Sequence, residues 1–268
     1  MSTILSSLRN TIISGLILTL LMLLTFYNWG SVDSSSLTDQ AFYSFVFRWL
    51  HVLSAIMWIG LLWYFNFVQI PNMPNIPDDQ KPAISKVIAP AALWWFRWAA
   101  LFTFLAGALT LINKGMHGGG GWTAVYASSW GIMILTGSAL GTLMFLNVWL
   151  IIWPNQQVVI ASTNKVADGG EALPEAAGCG AKAALASRTN TLFSIPMLLF
   201  MGAATHYPLV LPVDTNFSGL FWVLAIIIGL LEVNGIVGKP GPMASVKGVI
   251  TSGLVLTVVL FGVIGILV

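Results

Sequence analysis

Apolar runs of about 20 residues recur along this chain, and that length is what a bilayer demands. A hydrocarbon layer of ~30 Å divided by a helical rise of ~1.5 Å per residue is about 20 residues. Charged residues make up 7% of the 268 and apolar residues 57%, whereas soluble domains carry roughly 25% charged residues. The fold class is therefore an all-α, polytopic integral membrane helical bundle; a β-barrel would show short alternating segments instead. Membrane lipid is the expected surrounding. No basic tract is present, which excludes nucleic acid as a partner. The lone cysteine, Cys179, leaves no internal disulfide, no CxxCH attachment of a c-type haem and no all-cysteine iron–sulfur site.

A single membrane domain, 1–268, is expected, with spans at about 11–28, 42–69, 91–112, 129–153, 189–207, 218–237 and 247–267. Pro71, Gly115, Pro154, Pro208 and the Gly238–Pro240 stretch are expected to end spans two to six. An amphipathic lead-in at 39–47 precedes the second span. The segment 154–188, rich in Ala and Gly, reads as a mobile cytoplasmic loop. One set of connections carries Arg9, Lys81, Lys86, Lys165, Lys182, Arg188, Lys239 and Lys247, and the opposite set only Lys114. That imbalance predicts seven transmembrane helices, the N-terminus cytoplasmic and the C-terminus outside. The expected location is a bacterial inner membrane.

Helix direction turns sequence position into depth. His51 is expected about two turns below the outer boundary, His206 at the outer end of the fifth span, and His117 in the outer loop that continues through Gly118–Gly121. Two imidazoles from different spans are how membrane cytochromes hold haem b, so His51 and His206 are candidate axial ligands of a haem iron. Arg48, one turn outward of His51, is placed to neutralise a propionate. The bland alternative has His51 bonding a neighbouring carbonyl, His206 at the interface and His117 in an exposed loop. A three-histidine metal site is a further alternative, without an HxH or HxxxH pair to carry it.

Near the inner face, Arg97 and Glu232 lie at equal depth with opposite sign, which predicts an ion pair between them. Asn66, Gln69, Asn147, Arg188, Asn190 and Asn234 fall at comparable depth and raise the expectation of a polar chamber. Ordinary interhelical hydrogen bonding accounts for the same residues.

Several strings resemble the membrane-bound urate hydroxylase family: RWLHVL at 48–53, WIGLLWYFNFVQ at 58–69, PAALWWFRW at 90–98, NVWLIIWPNQQ at 147–157 and SRTNTLFSIPM at 187–197. The resemblance implies oxidation of urate to 5-hydroxyisourate by an integral membrane domain, with electrons passed to a cytochrome c. Carried over by motif position, the candidate catalytic residues are Asn66, Gln69, Arg97, Arg188 and Asn190, with His51 and Asn147 beside them. In that family a c-type cytochrome domain follows the membrane domain. No CxxCH occurs in this sequence, so a separate cytochrome c is the expected electron acceptor.

Three functions remain open from the sequence. The first is an oxidoreductase acting on urate or a related heterocycle through a b-type haem. The second is a haem-binding electron-transfer or accessory subunit of a larger respiratory or oxidase complex, with no substrate of its own. The third is a transporter or a purely structural membrane protein.

Overall fold

The computed structural model describes residues 5–29 and 40–268, the side chains of 26–29 excepted. Among these residues every regular element is helical. The chain divides into two compact units, 1–46 and 47–268. The first holds α1 (Leu8–Trp29) and the opening turns of α2 (Gln40–Trp63). The lead-in expected at 39–47 is continuous with α2 from Gln40 onward; position 39 itself lies outside the described residues. No residue of Leu8–Thr25 is buried.

In the second unit α2 continues without a break into a π-helical turn, π1 (Tyr64–Gln69). A second π turn, π2 (Ile84–Ile88), leads into α3 (Ala89–His117). Next come a short α4 (Gly121–Tyr126) and α5 (Ser129–Leu146). A third π turn, π3 (Asn147–Ile152), joins α5 to α6 (Trp153–Ala167). The bundle closes with α7 (Ala176–His206), α8 (Phe217–Val237) and α9 (Val246–Leu267). Side chains cap three N-termini: Ser128 Oγ, Asn216 Oδ1 and Ser245 Oγ accept from the N–H groups of Gly131, Gly219 and Gly248.

The faces of α8 show which solvent the bundle is built for. Leu220, Leu224, Ile228, Glu232 and Gly235 are buried. On the other side Trp222 is 69% exposed, Ile226 57% and Leu230 68%. A helix apolar on its outer face as well as its inner one suits hydrocarbon, not water. Among the described residues, six helices are long and apolar enough to cross a membrane: Leu8–Thr25, Gln40–Asn75, Lys81–His117, Ser129–Ala167, Phe217–Val237 and Val246–Leu267.

The expected fifth span, 189–207, falls inside α7, which is not among those six. α7 is the centre of the bundle, in contact with α5, π3, α6, α8 and α9. All six residues from Thr189 to Ser194 are buried, four of them polar. Their polar groups meet protein rather than lipid, which is why α7 tolerates them and why its hydropathy is lower. Close approach is built in as well: a Cβ at Gly235 on α8 would stand 2.7 Å from Thr189 Oγ1, and small residues at such crossings let membrane helices meet.

Two expectations about breaks are corrected. The segment 154–188 is not a loop: α6 runs to Ala167, α7 starts at Ala176, and only the residues between them are non-helical. Pro154 occupies the first turn of α6, where a missing N–H costs little, and the Ala-rich start of α7 has high helix propensity. Nor do Pro71 and Pro154 end their helices. Each of the three π turns closes two residues before a proline, namely Pro71, Pro90 and Pro154. A proline ring collides with the carbonyl four residues earlier; those carbonyls, of Phe67, Lys86 and Leu150, all lie within the π turns. The helices widen there instead of stopping. Pro196 sits inside α7 without a π turn, so proline favours the widening without dictating it.

Candidate functional site

The three π turns converge on one cavity of about 310 Å³. Phe65 and Gln69 come from π1, Ser85 from π2 and Ile152 from π3, and all four line it. π turns are rare and are found frequently at functional sites; three lining one cavity concentrate that signal. Phe96 from α3 closes a wall, its ring edge-to-face with Phe65 at 6.1 Å between centroids. The cavity lies at the end of the bundle that carries Lys81, Lys86, Lys165 and Lys182, and Lys86 reaches Asp168 beyond α6 at 3.9 Å. No lining residue is ionisable.

Polar supply to this cavity is specific. Gln69 Oε1 is buried and has no hydrogen-bond partner. One turn earlier, Asn66 Nδ2 donates to Leu62 O at 2.9 Å and to Ser187 Oγ at 2.8 Å, and Ser187 lines the cavity. Asn66 Oδ1 is likewise buried and unpaired. Of the two, only Gln69 lines the cavity, and its unmet atom is an acceptor, which suits a ligand that offers a ring N–H.

The single polar chamber expected from the sequence is in fact several places. Gln69, with Asn66 behind it, belongs to the cavity. Asn190 and Asn147 belong to a buried network between α5, π3, α7 and α8. There Asn147 Nδ2 donates to Asn190 Oδ1 at 2.9 Å and to Glu232 Oε2 at 3.1 Å, and Asn190 Nδ2 donates to Met144 O at 2.9 Å. Arg188 spends its guanidinium on the carbonyl of Met243, in the turn before α9. Asn234 caps the end of α8 by donating to Lys239 O at 3.2 Å.

The Arg97–Glu232 pair is not formed. Glu232 takes its hydrogen bond from Asn147, and the ion pairs among the described residues are Lys81–Asp78 and Lys86–Asp168. The Arg97 guanidinium lies instead over the Trp153 ring, 3.8 Å from its centroid. Equal depth left direction around the helix undetermined, and Arg97 faces π3 and α6 rather than α8.

At the other end of α2, His51 Nδ1 lies 2.8 Å from the carbonyl of Thr103. A carbonyl only accepts, so Nδ1 carries the proton and the Nε2 lone pair is left for another partner. That is the arrangement by which ligating histidines are oriented. The ring rests against Gly107, where a Cβ would stand 2.9 Å from Nδ1. This carbonyl bond is the one that the bland reading of His51 expects, and it leaves Nε2 free. His206 ends α7 and His117 ends α3, both exposed, as is Arg48; no hydrogen bond joins His206 to His51. His51 and Gln69 are 18 residues apart, about 27 Å along a helix.

The sequence model of the family described as urate oxidase N-terminal matches residues 121–237. That stretch, under half of the chain, is similar to the family. It takes in the strings at 147–157 and 187–197, together with Ile152, Gln156 and Ser187 of the cavity and the whole Asn147–Asn190–Glu232 network. The strings at 48–69 and 90–98, which supply Phe65, Gln69 and Phe96, precede it. No curated protein and no solved structure matches the chain. Inside and outside the urate oxidase N-terminal segment, sequence reasoning missed Phe65, Ser85, Phe96, Ile152 and Gln156 as cavity residues. Proline two residues after each π turn is the signal that would have found their level.

Proposed function

We propose that this protein is a membrane oxidoreductase of the urate hydroxylase type, crossing the membrane seven times with its N-terminus and the cavity on the cytoplasmic side of a bacterial inner membrane. Urate, or a related planar heterocycle, occupies the cavity formed by the three π turns. The observation that carries the reading is their convergence on a space of about 310 Å³ with an unpaired amide oxygen, Gln69 Oε1, buried beside it. That volume is at the small end of ligand pockets, which suits a purine-sized molecule.

In this reading Gln69 Oε1 accepts a hydrogen bond from a ring N–H and fixes the ligand's orientation. Phe65 and Phe96, packed edge to face, form one apolar wall against the ligand and exclude water from that side. Asn66, anchored on Ser187, stiffens the π1 turn that carries Gln69. Oxidation adds a hydroxyl from water to urate C5 and releases two electrons and two protons. His51 through Nε2, with Arg48 and His206 as the further candidates, would hold a b-type haem, which would supply one-electron acceptance and transfer to a separate cytochrome c.

Spectra of the purified full chain test this. The expected result is a Soret band that shifts to the reduced form on adding urate. Gln69→Leu should keep the band and lose the response to urate; His51→Ala should lose the band. A preparation whose haem stays oxidised in urate, and whose melting temperature urate does not move, would overturn the proposal.

A further inference from the structure

Away from the cavity, Arg97 sits in a cluster of indoles. Its guanidinium carbon lies 3.8 Å from the centroid of Trp153, 5.7 Å from Trp98 and 5.9 Å from Trp149. Trp98 and Trp149 meet edge to face at 5.6 Å. Three buried atoms in this group have no hydrogen-bond partner: Arg97 Nε, Trp98 Nε1 and Trp149 Nε1. All three are donors, and neither guanidinium nor indole can accept. No carboxylate pairs with Arg97 among the described residues. Buried donors are seldom left unmet in a folded protein, and here the shared deficit is one of negatively charged acceptor.

The surroundings say what kind of acceptor. Trp94 is 46% exposed, Leu146 39% and Leu150 68%, so the flanks of the cluster are bare apolar surface. Trp153 is 24 residues beyond the start of α5 at Ser129, about 36 Å along the helix and hence near the far edge of a ~30 Å hydrocarbon layer. Indoles at that level belong to headgroup depth. We propose that Arg97, Trp98 and Trp149 bind the phosphate of an anionic phospholipid, whose acyl chains run along Leu146 and Leu150. Arginine's fork matches a phosphate's geometry, and a site of cation and donors alone prefers a lipid with net negative charge. The site is independent of the urate reading and uses no residue of the cavity.

Native mass spectrometry of the detergent-solubilised full chain, titrated with phosphatidylglycerol or phosphatidylcholine, tests the assignment. One phosphatidylglycerol should be retained in preference. Arg97→Gln should weaken its retention about tenfold or more, as expected for losing a charged hydrogen-bond partner. The double variant Trp98→Phe/Trp149→Phe keeps an aromatic ring at each position and removes both N–H groups, so it should also lose the preference; it decides the matter should Arg97→Gln fail to fold. Equal retention of the two lipids by the wild type, or unchanged phosphatidylglycerol retention in the double variant, overturns the proposal. So does inorganic phosphate displacing phosphatidylglycerol at equal concentration, which would make the ligand a soluble oxyanion.

Discussion

At the residue scale, unmet and over-committed polar atoms decide what each side chain does. Glu232 is only 8% exposed, and the hydrogen bond that meets it comes from Asn147. Asn147→Leu strands a carboxylate oxygen and the Asn190 carbonyl together, with an expected loss of about 1–3 kcal/mol for each buried group left unpaired. Glu232→Gln keeps an acceptor in place and should cost much less. Melting curves of the two variants in detergent compare them directly, and equal losses would mean that the network contributes nothing specific. Gly107→Ala would put a methyl 2.9 Å from His51 Nδ1. The ring must then leave the Thr103 carbonyl, and the Soret band expected for His51-held haem should shrink or shift. Gln69→Leu removes an unpaired buried oxygen, so it should raise the melting temperature slightly while abolishing any rise caused by urate.

At the scale of elements, the π turns carry the argument. A π turn is one extra residue in an α-helix, so deleting that residue restores regular winding and keeps the flanking faces aligned. Deleting Leu150 together with Pro154→Ala, which removes the clash that favours π3, should leave the helix content by circular dichroism unchanged. It should abolish the urate-dependent shift in melting temperature, because Ile152 and Gln156 would line the cavity differently. Retained urate binding in that variant would show π3 to be ornamental. The caps are simpler: Ser245→Ala removes the acceptor for Gly248 N–H at the start of α9, with an expected cost of about 1 kcal/mol in a thermal or denaturant melt.

Over the whole molecule, three helical stretches outrun a bilayer. Gln40–Asn75, Lys81–His117 and Ser129–Ala167 have 36, 37 and 39 residues, about 54–58 Å each at the α-helical rise, against ~30 Å of hydrocarbon. The ends of these stretches, with the start of α7, build the walls of the cavity, so the proposed topology puts the candidate site at the membrane face and not in its middle. Cys179 near the start of α7 is partly exposed, which makes it a natural reporter of sidedness. A membrane-impermeant maleimide should label it in inverted vesicles and leave it unlabelled in intact spheroplasts. The reverse pattern would turn the topology over and move the cavity to the outside.

Composition and run length by themselves determined that the chain is helical and built for lipid, because a bilayer enforces helix length and forbids unpaired backbone whatever the packing. The strings around Asn147 and Ser187 also carried the likeness to the urate oxidase N-terminal family, and spacing alone put Asn66 and Gln69 on one level. Direction around each helix came from packing alone. Depth is a one-dimensional quantity readable from residue number, whereas the partner of Arg97 depends on azimuth, and three π turns change azimuth at the level of the site. For that reason the Arg97–Glu232 pair dissolved into a tryptophan cluster and an asparagine network. The same rotation gathered Phe65, Gln69, Ser85 and Ile152 from three separate stretches of sequence around one cavity.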